Sequence, residues 1–383
     1  MSIHSFDYAI IGAGAAGLHL AMQLAADKAF EGKTVLILDK DEKKSNDRTW
    51  SFWEKGITDW DKISTKSWNK AVFYSKSKQY LLPLSNHHYK TIRSADFYAH
   101  AKKIIAKHEY FTWLHDEVAD VTDQTITGAK SKYHAGHIFD SRLPSSFTQK
   151  NGQHVSLIQH FLGWFIETEE PIFDEDEITI MDYRVRWKSQ TSFHYILPFS
   201  SQKALIEFTL FNESLLAQED YEKVLRGYIE EQLGIKNFKI IEEEKGQIPM
   251  STYPFHLHHE KYLTKIGTAG GWVRPSSGYS FKNAQRYSAK ILNNIKKGRE
   301  PHLGVAVNRF RFYDKIFLAV LKERNDLGAE IFERLYTRQP IVSLFRFLDE
   351  GSTWLEDIKI MLSLNQPIFR KALRKVILRK QRV

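Results

Sequence analysis

The chain has 383 residues, of which 55 are Lys or Arg and 46 are Asp or Glu, so its formal net charge is +9. This length fits two or three domains or one elaborated domain, and 42% hydrophobic residues can fill a sizeable core. The composition excludes intrinsic disorder and collagen. The absence of cysteine excludes a disulfide scaffold, a catalytic thiol, an iron–sulfur cluster and a thiolate zinc site.

The N-terminal segment predicts a βαβ unit. Phe6–Ile11 and Lys33–Leu38 have the composition of buried strands, and Ala15–Ala29 between them has apolar residues at helical spacing. Because the predicted first strand begins at Phe6 and leads into the glycine turn, it leaves no room for a secretory leader, and we expect none. Apolar runs such as Ile316–Leu321 are far shorter than the roughly 20 residues of a membrane-spanning helix.

The middle of the chain is β-rich. Strands are predicted at Tyr183–Trp187, Ser192–Phe199 and Ala204–Phe211, with polar turns between them. Glu219–Leu233 has the pattern of an amphipathic helix, and Gly234 after it is typical of a helix C-terminus.

The last third of the chain is predicted to be helical. Tyr262–Ile266 is a short strand that leads into a second glycine-rich stretch, Gly267–Gly278. Helices are then predicted at Phe281–Lys297, Asn308–Glu323, Leu327–Leu335 and Thr353–Leu364. Thr353 and Glu356 have the spacing of a capping box.

The glycine turn after the first strand has the GxGxxG form, at Gly12, Gly14 and Gly17, and Asp39 follows 22 positions after Gly17 at the end of the second strand. Gly12 permits the tight turn, Gly14 permits close approach of a pyrophosphate, and Gly17 permits close helix–strand packing. Asp39 is placed to accept hydrogen bonds from the adenosine ribose. The alternative is a structural turn with an unrelated acid after it; the context favours a dinucleotide site.

The position of the two glycine stretches favours FAD over NAD. The first lies at the N-terminus and the second about 250 residues later, which suits a long cofactor held at both ends. Ile138–Arg142, with Asp140 at its centre, fits a further strand and turn that close over the same cofactor.

Several motifs together resemble the lycopene β-cyclases of the bacterial type. They are RTWSFW at Arg48–Trp53, QHFLG at Gln159–Gly163, IPM at Ile248–Met250, GGWVRPSSGYS at Gly270–Ser280 and FRFL at Phe345–Leu348. The resemblance implies an α/β fold, with a Rossmann-type FAD-binding domain, an inserted β-rich substrate domain and a helical C-terminal region. The corresponding ranges are 1–145 for FAD binding, 146–261 for substrate and catalysis, 262–300 for a second FAD-binding segment and 301–383 for the helical region.

The same resemblance implies a non-redox flavoprotein that closes the ψ-ends of lycopene and other carotenoids into β-rings, giving γ-carotene and then β-carotene. It implies FAD in its reduced form, with NAD(P)H as the reductant, and extends the cofactor contacts to Arg48, Thr268, Gly270 and Gly278. Thr268 stands where related flavoproteins often have Asp, so it offers only a hydroxyl group.

Glu207 is the predicted catalytic acid. The family has an acidic strand motif in which the first carboxylate is assigned to catalysis, and it matches Leu205–Thr209 here, with Phe208 in place of the second acid. This substitution puts a two-carboxylate mechanism at this strand in doubt. From strand alternation alone, a Glu207 that faces water is an equal alternative. Asp182, also flanked by apolar residues, is a second candidate that either assists Glu207 or caps a turn.

Aromatic residues make up 13% of the chain and are suited to holding a carbocation. Trp50, Phe52, Trp53 and Trp272 lie in the shared motifs and are the candidates to line the substrate site. His256, His258 and His259 do not have the spacing of a closed metal site, so no metal is predicted.

The C-terminal tail carries most of the net charge. From Ile358 onward there are eight bases and no acid, namely Lys359, Arg370, Lys371, Arg374, Lys375, Arg379, Lys380 and Arg382. Apolar residues interleave with these bases, which predicts a peripheral helix on the cytoplasmic side of an anionic membrane. The alternative is a solvated helix end. No nucleic-acid surface is predicted, because the rest of the chain is nearly neutral.

Two other functions remain open from the sequence. The first is a monooxygenase or an isoprenoid-chain reductase on the same FAD fold, which would change the mass of its substrate, whereas a cyclase would not. The second is a flavin-binding membrane protein without catalysis.

Overall fold

The structure is a computed structural model that describes residues 4–148, 154–364 and 366–380. Its strands are β1 (His4–Ile11), β2 (Val35–Asp39), β3 (Thr49–Lys55), β4 (Lys66–Trp68), β5 (Lys70–Tyr74), β6 (Gln79–Leu82), β7 (His87–Arg93), β8 (Phe111–His115), β9 (Val118–Thr122), β10 (Thr125–Gly128), β11 (Lys132–Asp140), β12 (Ser156–Thr168), β13 (Glu177–Asp182), β14 (Ser192–Pro198), β15 (Lys203–Asn212), β16 (Phe238–Ser251) and β17 (Leu263–Lys265). Its α-helices are α1 (Ala15–Ala26), α2 (Ser94–Ile105), α3 (Ser145–Thr148), α4 (Gln218–Gly227), α5 (Phe281–Lys296), α6 (Asn308–Glu323), α7 (Gly328–Thr337), α8 (Ile341–Leu348), α9 (Trp354–Ser363) and α10 (Pro367–Lys380).

The first sheet has the order β8-β2-β1-β11-β10-β9, and β17 also pairs with β11. Strands β8, β2, β1, β11 and β17 run parallel, as the predicted βαβ unit requires. Its central residues Ala9, Ile10 and Leu36 are fully buried, which explains why these strands are continuous apolar runs. The late strand β17 therefore returns the chain to the sheet that carries the glycine turn.

The second sheet has the order β16-β12-β15-β14-β13-β5-β6 and is antiparallel except where β5 runs beside β13. It is built mainly from the β-rich middle of the chain, but β5 and β6 come from within residues 1–145. A third, three-stranded sheet, β3-β7-β4, contains the RTWSFW segment. This arrangement confirms the predicted α/β class with a β-rich second region and a helical C-terminal region.

One predicted strand is wrong. Tyr183–Trp187 forms bends rather than a strand, and the strand in this region is β13, which ends at Asp182. The Asp182 carboxylate accepts a hydrogen bond from the backbone N–H of Arg184 at 2.9 Å, which turns the chain out of the sheet. Apolar and aromatic residues in this segment gave the misleading strand pattern.

The predicted helices are present with small shifts at their ends. The Glu219–Leu233 helix is α4 followed by one π-helical turn at Tyr228–Gln232. The Thr353–Glu356 capping box at the start of α9 is confirmed, since each side chain bonds the backbone of the other residue. None of the helices in the described ranges is long and apolar enough to span a membrane.

The C-terminal helices cover one face of the second sheet. A single cluster of buried residues joins this sheet face to α6, α7 and α8, and the ring of Trp53 stacks on that of Phe345 at 4.4 Å. The other face of the sheet packs on α4 through a separate cluster that contains Ile206 and Phe208. The two faces therefore have different partners.

We predict that Gly17→Ala destabilises the protein by about 1–3 kcal/mol, the usual range for overpacking. A Cβ at Gly17 would lie 2.0 Å from the carbonyl oxygen of Gly12, so α1 would have to move away from the turn. Gly227→Ala is the matched control, because it is helical and its Cβ would meet no heavy atom within 4 Å. Chemical denaturation would measure both variants, and equal stability of the two would contradict this account of the turn.

Candidate active site

The glycine turn between β1 and α1 leaves open space at one point. Gly12 has a φ of +99°, and a Cβ there would lie 1.9 Å from the hydroxyl oxygen of Ser141. Gly14, by contrast, would place a Cβ more than 4 Å from any heavy atom outside its own neighbours. Gly14, Ala15 and Ala16 line a pocket at the N-terminus of α1, which is where a phosphate would bind.

Asp39 braces this turn from the end of β2. Its Oδ2 accepts a hydrogen bond from the backbone N–H of Ala13 at 2.5 Å, and its Oδ1 accepts one from Asp41 at 2.8 Å. The ammonium of Lys43 lies 3.8 Å from Oδ1. The carboxylate lies next to the pocket wall rather than in it, with lone pairs left for a further donor.

The pocket is a cavity of about 620 Å³ that extends from the glycine turn to the C-terminal helices. Of the residues predicted to contact a cofactor, Arg48, Thr268 and Gly278 line it together with Gly14. Gly278 has a φ of +74°, and a Cβ there would lie 2.5 Å from Oε1 of Gln159. The late glycine-rich stretch and the N-terminal turn therefore meet in one pocket, as the sequence predicts.

Asp140 and Gly270 support the wall from behind. Asp140 is buried and pairs with Lys265 at 2.7 Å and Arg142 at 3.0 Å. Burial disfavours its anion, but the hydrogen bonds and charges of these two bases outweigh burial and hold the pKa of Asp140 below its usual value. A Cβ at Gly270 would lie 2.5 Å from the carbonyl oxygen of Lys265. Both residues fix the late loop against β11 and do not line the pocket.

Aromatic side chains form much of the pocket wall. All four of the aromatic residues predicted from the motifs line it, namely Trp50, Phe52, Trp53 and Trp272. Further lining aromatics are Tyr89, Phe161, Phe193, Tyr195, Phe211, Tyr279, Phe281, Tyr313, Phe317, Phe332, Tyr336, Phe347 and Phe369. The wall is therefore apolar and rich in ring faces, which suits an extended hydrocarbon and a positive charge that forms on it.

Glu207 reaches this pocket from the middle of β15. The register of the sheet places it opposite Tyr195 on one side and Gly163 on the other. Leu205 belongs to the cluster under the C-terminal helices, whereas Ile206 and Phe208 belong to the cluster under α4. The alternation predicted from the sequence therefore holds, and the face that carries Glu207 lies against protein rather than bulk water.

Glu207 is held in its neutral form by its surroundings. Burial raises its pKa to about 8, although a hydrogen bond from the Thr209 hydroxyl at 2.5 Å favours the anion. The negative charge of Glu244 adds to the rise. Within the described residues, Glu207 has no basic side chain at salt-bridge distance. A carboxylic acid that stays protonated near neutral pH is thus exposed to an apolar cavity.

Asp182 lies on the opposite face of the same sheet. Its carboxylate forms an ion pair with Arg184 and accepts a hydrogen bond from the hydroxyl of Tyr228 at 2.6 Å. The ring of Tyr228 stacks at 3.7 Å on His194, which pairs with Asp182 across the sheet. The sheet therefore separates Asp182 from Glu207, and the turn-capping alternative describes its place in the structure.

Sequence analysis does not single out Glu244, which lines the same pocket. Its two carboxylate oxygens accept hydrogen bonds from the backbone N–H of Thr49 at 2.9 Å and from the Thr49 hydroxyl at 2.5 Å. Burial raises its pKa, and the Thr49 hydrogen bonds oppose this rise. Its place in the charged run EEEK suggests a solvated strand, but alternation along β16 puts it on the same face as Ile248 of the IPM motif.

Three polar atoms around the pocket have no hydrogen-bond partner in the part of the chain that the structure describes. They are Oε1 of Gln159, Oγ of Ser277 and Oδ2 of Asp314, and all three residues line the cavity. Buried polar atoms are normally paired, so these atoms indicate that the pocket accommodates a polar ligand.

The histidines near residue 258 have partners of their own. His258 bonds with the Tyr253 hydroxyl at 2.5 Å, and His259 accepts a hydrogen bond from the backbone of Lys265 at 3.1 Å. Across the described ranges, no group of three or more His, Cys, Asp or Glu side chains is arranged to hold a metal ion.

Comparison with solved structures identifies the fold. A geranylgeranyl bacteriochlorophyll reductase-like protein from Thermoplasma acidophilum aligns with a TM-score of 0.61 over 98% of this chain and 100% of that chain. The sequences are only 14% identical, so the likeness concerns the fold alone.

Comparison with protein sequences identifies relatives of known name. The lycopene beta cyclase of Capsicum annuum is 25% identical over 309 residues, which cover 76% of this chain and 60% of that protein. The lycopene beta-cyclase of Paracoccus sp. is 25% identical over 301 residues, which cover 76% of this chain and 72% of that protein. The chain therefore spans less than two thirds of the length of this plant relative.

The family described as lycopene cyclase protein matches residues 7–373, which includes the glycine turn, Glu207, Glu244 and the late loop. The chain belongs to the lycopene cyclase family.

Proposed function

We propose that this protein is a lycopene β-cyclase that closes the ψ-ends of lycopene, and of other carotenoids with such ends, by proton-initiated and non-redox cyclisation. The observation that supports this most directly is Glu207, a carboxylic acid whose pKa burial raises to about 8 and which faces an aromatic cavity. Protonation of an alkene needs an acid that is neutral at working pH and shielded from water.

The residues of the pocket fit FAD. Gly14 offers open space at the N-terminus of α1 for a pyrophosphate, and Asp39 lies beside the turn for the ribose. The N-terminus of α5 also borders the pocket, and its N-cap Ser280 makes no side-chain capping hydrogen bond, so its positive end is available to a negative group. Gln159 and Ser277 each offer a polar atom without a partner. When bound there and reduced, FAD would supply negative charge within the pocket, and we propose NAD(P)H as its reductant.

The chain's own residues account for the start of the reaction. Glu207 donates its proton to C2 of the terminal double bond, which leaves a tertiary cation at C1. The electron pair of the C5–C6 double bond then forms the C1–C6 bond, and loss of the proton from C6 leaves the β-ring. The rings of Tyr195, Trp53 and Tyr279 surround this part of the pocket, where they exclude water and stabilise the cation. Closing one end gives γ-carotene, and closing both gives β-carotene.

A monooxygenase or an isoprenoid-chain reductase is the alternative on this fold. The Thermoplasma protein carries a reductase-like name, but at 14% identity it supports only the shared architecture. Neither alternative requires a neutral carboxylic acid beside an aromatic wall, so Glu207 favours the cyclase.

For the acid, we predict that Glu207→Gln lowers lycopene turnover by at least about 10²–10⁴-fold, the usual contribution of general acid catalysis, because it removes the transferable proton. Glu207→Asp retains the acid one methylene further back and should keep partial activity. Bound FAD must be measured in the same preparations by absorbance. A Glu207→Gln holoenzyme that cyclises lycopene at the normal rate would contradict this role.

The pKa of Glu207 predicts the pH dependence of turnover. Because the protonated form of Glu207 is active, turnover should fall about tenfold per pH unit above about 8. Thr209→Val removes a hydrogen bond that favours the anion, so the fall should move to higher pH. A pH profile of kcat on both proteins tests this, and a shift to lower pH in Thr209→Val would be inconsistent with it.

For the cofactor, we predict that Gly14→Val abolishes FAD binding without loss of folding, because the new side chain occupies open space rather than protein. Asp39→Ala should weaken FAD binding less than Gly14→Val does, because it removes hydrogen bonds to the ribose and leaves the pyrophosphate site open. It also removes the hydrogen bond that Asp39 accepts from the backbone N–H of Ala13. Flavin absorbance after purification, with circular dichroism as the folding control, measures both. Stoichiometric flavin in Gly14→Val would refute the assignment of the turn.

We propose further that the protein binds peripherally to the cytoplasmic face of an anionic membrane. The predicted basic tail is partly neutralised, since Lys371 and Lys375 both pair with Glu323, and Arg382 lies outside the described residues. A second feature supports membrane binding. Four large apolar side chains of α9 are 52–72% exposed and lie on one side of the helix, namely Trp354, Leu355, Ile358 and Leu362. Met361 of the same helix lines the pocket, so α9 contributes both to this apolar surface and to the cavity wall.

We predict that the double variant Leu355→Glu with Ile358→Glu binds anionic vesicles at least about tenfold more weakly, since each apolar side chain contributes about 1.5–3 kcal/mol when buried. Leu81→Glu is the matched control, because Leu81 is 71% exposed on β6, far from α9 in sequence. Co-sedimentation with phosphatidylglycerol vesicles at low and high salt measures the effect and the ionic contribution. Equal loss of binding in both variants would contradict a specific role for α9.

A further inference from the structure

A row of three residues crosses the second sheet at the pocket. Gly163 of β12 pairs with Glu207 of β15 on one side and with Glu244 of β16 on the other. Residues that pair directly across neighbouring strands point to the same face of a sheet. The two carboxylates therefore share one face, separated by a residue that has no side chain, and both line the pocket.

Only a glycine fits at position 163 without crowding Leu205 and Glu207. A Cβ at Gly163 would lie 2.9 Å from Cδ1 of Leu205 and 3.5 Å from Cβ of Glu207. Because neighbouring strands are about 4.8 Å apart, the backbones of Glu207 and Glu244 are about 10 Å apart. The two carboxylates therefore lie on opposite sides of Gly163 on the pocket face.

The two carboxylates have different hydrogen-bond environments. Both oxygens of Glu244 accept hydrogen bonds from Thr49, and these bonds favour its anion against the burial that raises its pKa. In the part of the chain that the structure describes, Glu207 accepts a single hydrogen bond, from Thr209, so its second oxygen is left to carry and donate a proton. Of the two, Glu207 is the better placed to donate a proton and Glu244, with two donors on its oxygens, the better placed to accept one.

We infer that Glu244 is the catalytic base that removes the C6 proton, an assignment that rests on the proposed cyclase function. Glu207 gives its proton to C2, and the electron pair of the C5–C6 double bond forms the C1–C6 bond, which leaves the cation at C5. The Glu244 carboxylate then takes the proton from C6, and the electrons of that C–H bond form the new C5–C6 double bond. Glu207 has lost one proton and Glu244 has gained one, so uptake of a solvent proton by Glu207 and release of one by Glu244 restore the starting state without an oxidant or reductant.

This assignment also explains how the chain manages without an acid at position 208. Phe208 lies on the opposite face of β15, where its ring stacks against that of His194 at 5.0 Å. A carboxylate at that position would point toward α4 rather than into the pocket. The second acid on the pocket face comes from two strands away.

The test is the product ratio of Glu244→Gln with lycopene, compared with the native protein and with Glu243→Gln. Glu243 is the adjacent residue on the opposite face, half-exposed and bonded to Trp164. A cation at C5 that lacks a base at C6 loses its proton from C4 or from the C5 methyl group, or is trapped by water. We expect Glu244→Gln to lower turnover about 10²-fold and to form such products, while Glu243→Gln forms only β-rings at the native rate. Chromatography with mass spectrometry measures the ratio, which does not depend on the amount of folded enzyme.

Two results would overturn the assignment. One is a Glu244→Gln protein that forms only β-rings, since another group then removes the C6 proton. The other is a Thr49→Val protein that gives the same altered products as Glu244→Gln, with bound flavin lost from both variants. In that case Glu244 would act by holding Thr49 and not as a base. Failure of the native protein to form any β-ring would instead refute the proposed function.

Discussion

The structure depends on one energetic constraint, the burial of Glu207 with no cation beside it among the described residues. The rise in its pKa to about 8 corresponds to about 5 kcal/mol against the anion, so the acid keeps its proton at neutral pH. Asp182 shows the contrasting solution in the same sheet, because Arg184 pairs with it directly. An arginine placed beside Glu207 in the same way would ionise it and remove the proton that the proposed reaction needs.

The fold meets this constraint by covering one face of the second sheet with helices. Helices α6, α7 and α8 bury the face that carries Glu207, while the aromatic side chains between them leave a cavity rather than a filled core. The glycine turn and the late loop meet at one end of this cavity, and α9 and α10 contribute Met361 and Phe369 to its lining. The part of the pocket proposed for a polar cofactor and the aromatic wall proposed for an apolar substrate therefore belong to one cavity.

Much of this was predictable from the sequence, and the exceptions have physical causes. The βαβ unit, the glycine turn, the late loop and the alternation along β15 follow from local periodicity and spacing, but alternation alone left open whether Glu207 faces water or protein. The predicted strand at Tyr183–Trp187 was wrong because the backbone N–H of Arg184 donates a hydrogen bond to the Asp182 carboxylate, which turns the chain out of the sheet. Glu244 was missed because its role depends on which strands are neighbours, and no local pattern in EEEK reveals that Gly163 places it in line with Glu207. Asp140 was predicted to contact the cofactor because of its motif. In the structure it forms ion pairs with Lys265 and Arg142, and Lys265 is distant in the sequence and comes close only through folding.

The central claim is that the chain isomerises a carotenoid by moving protons alone. Its most direct test is the mass of the product that the purified, FAD-reduced protein forms from lycopene in membrane vesicles without oxygen. The account predicts a product of unchanged mass with β-rings, formed over many turnovers without further consumption of NAD(P)H. A gain of two hydrogens, or a gain of one oxygen when air is admitted, would contradict it and identify a reductase or a monooxygenase instead.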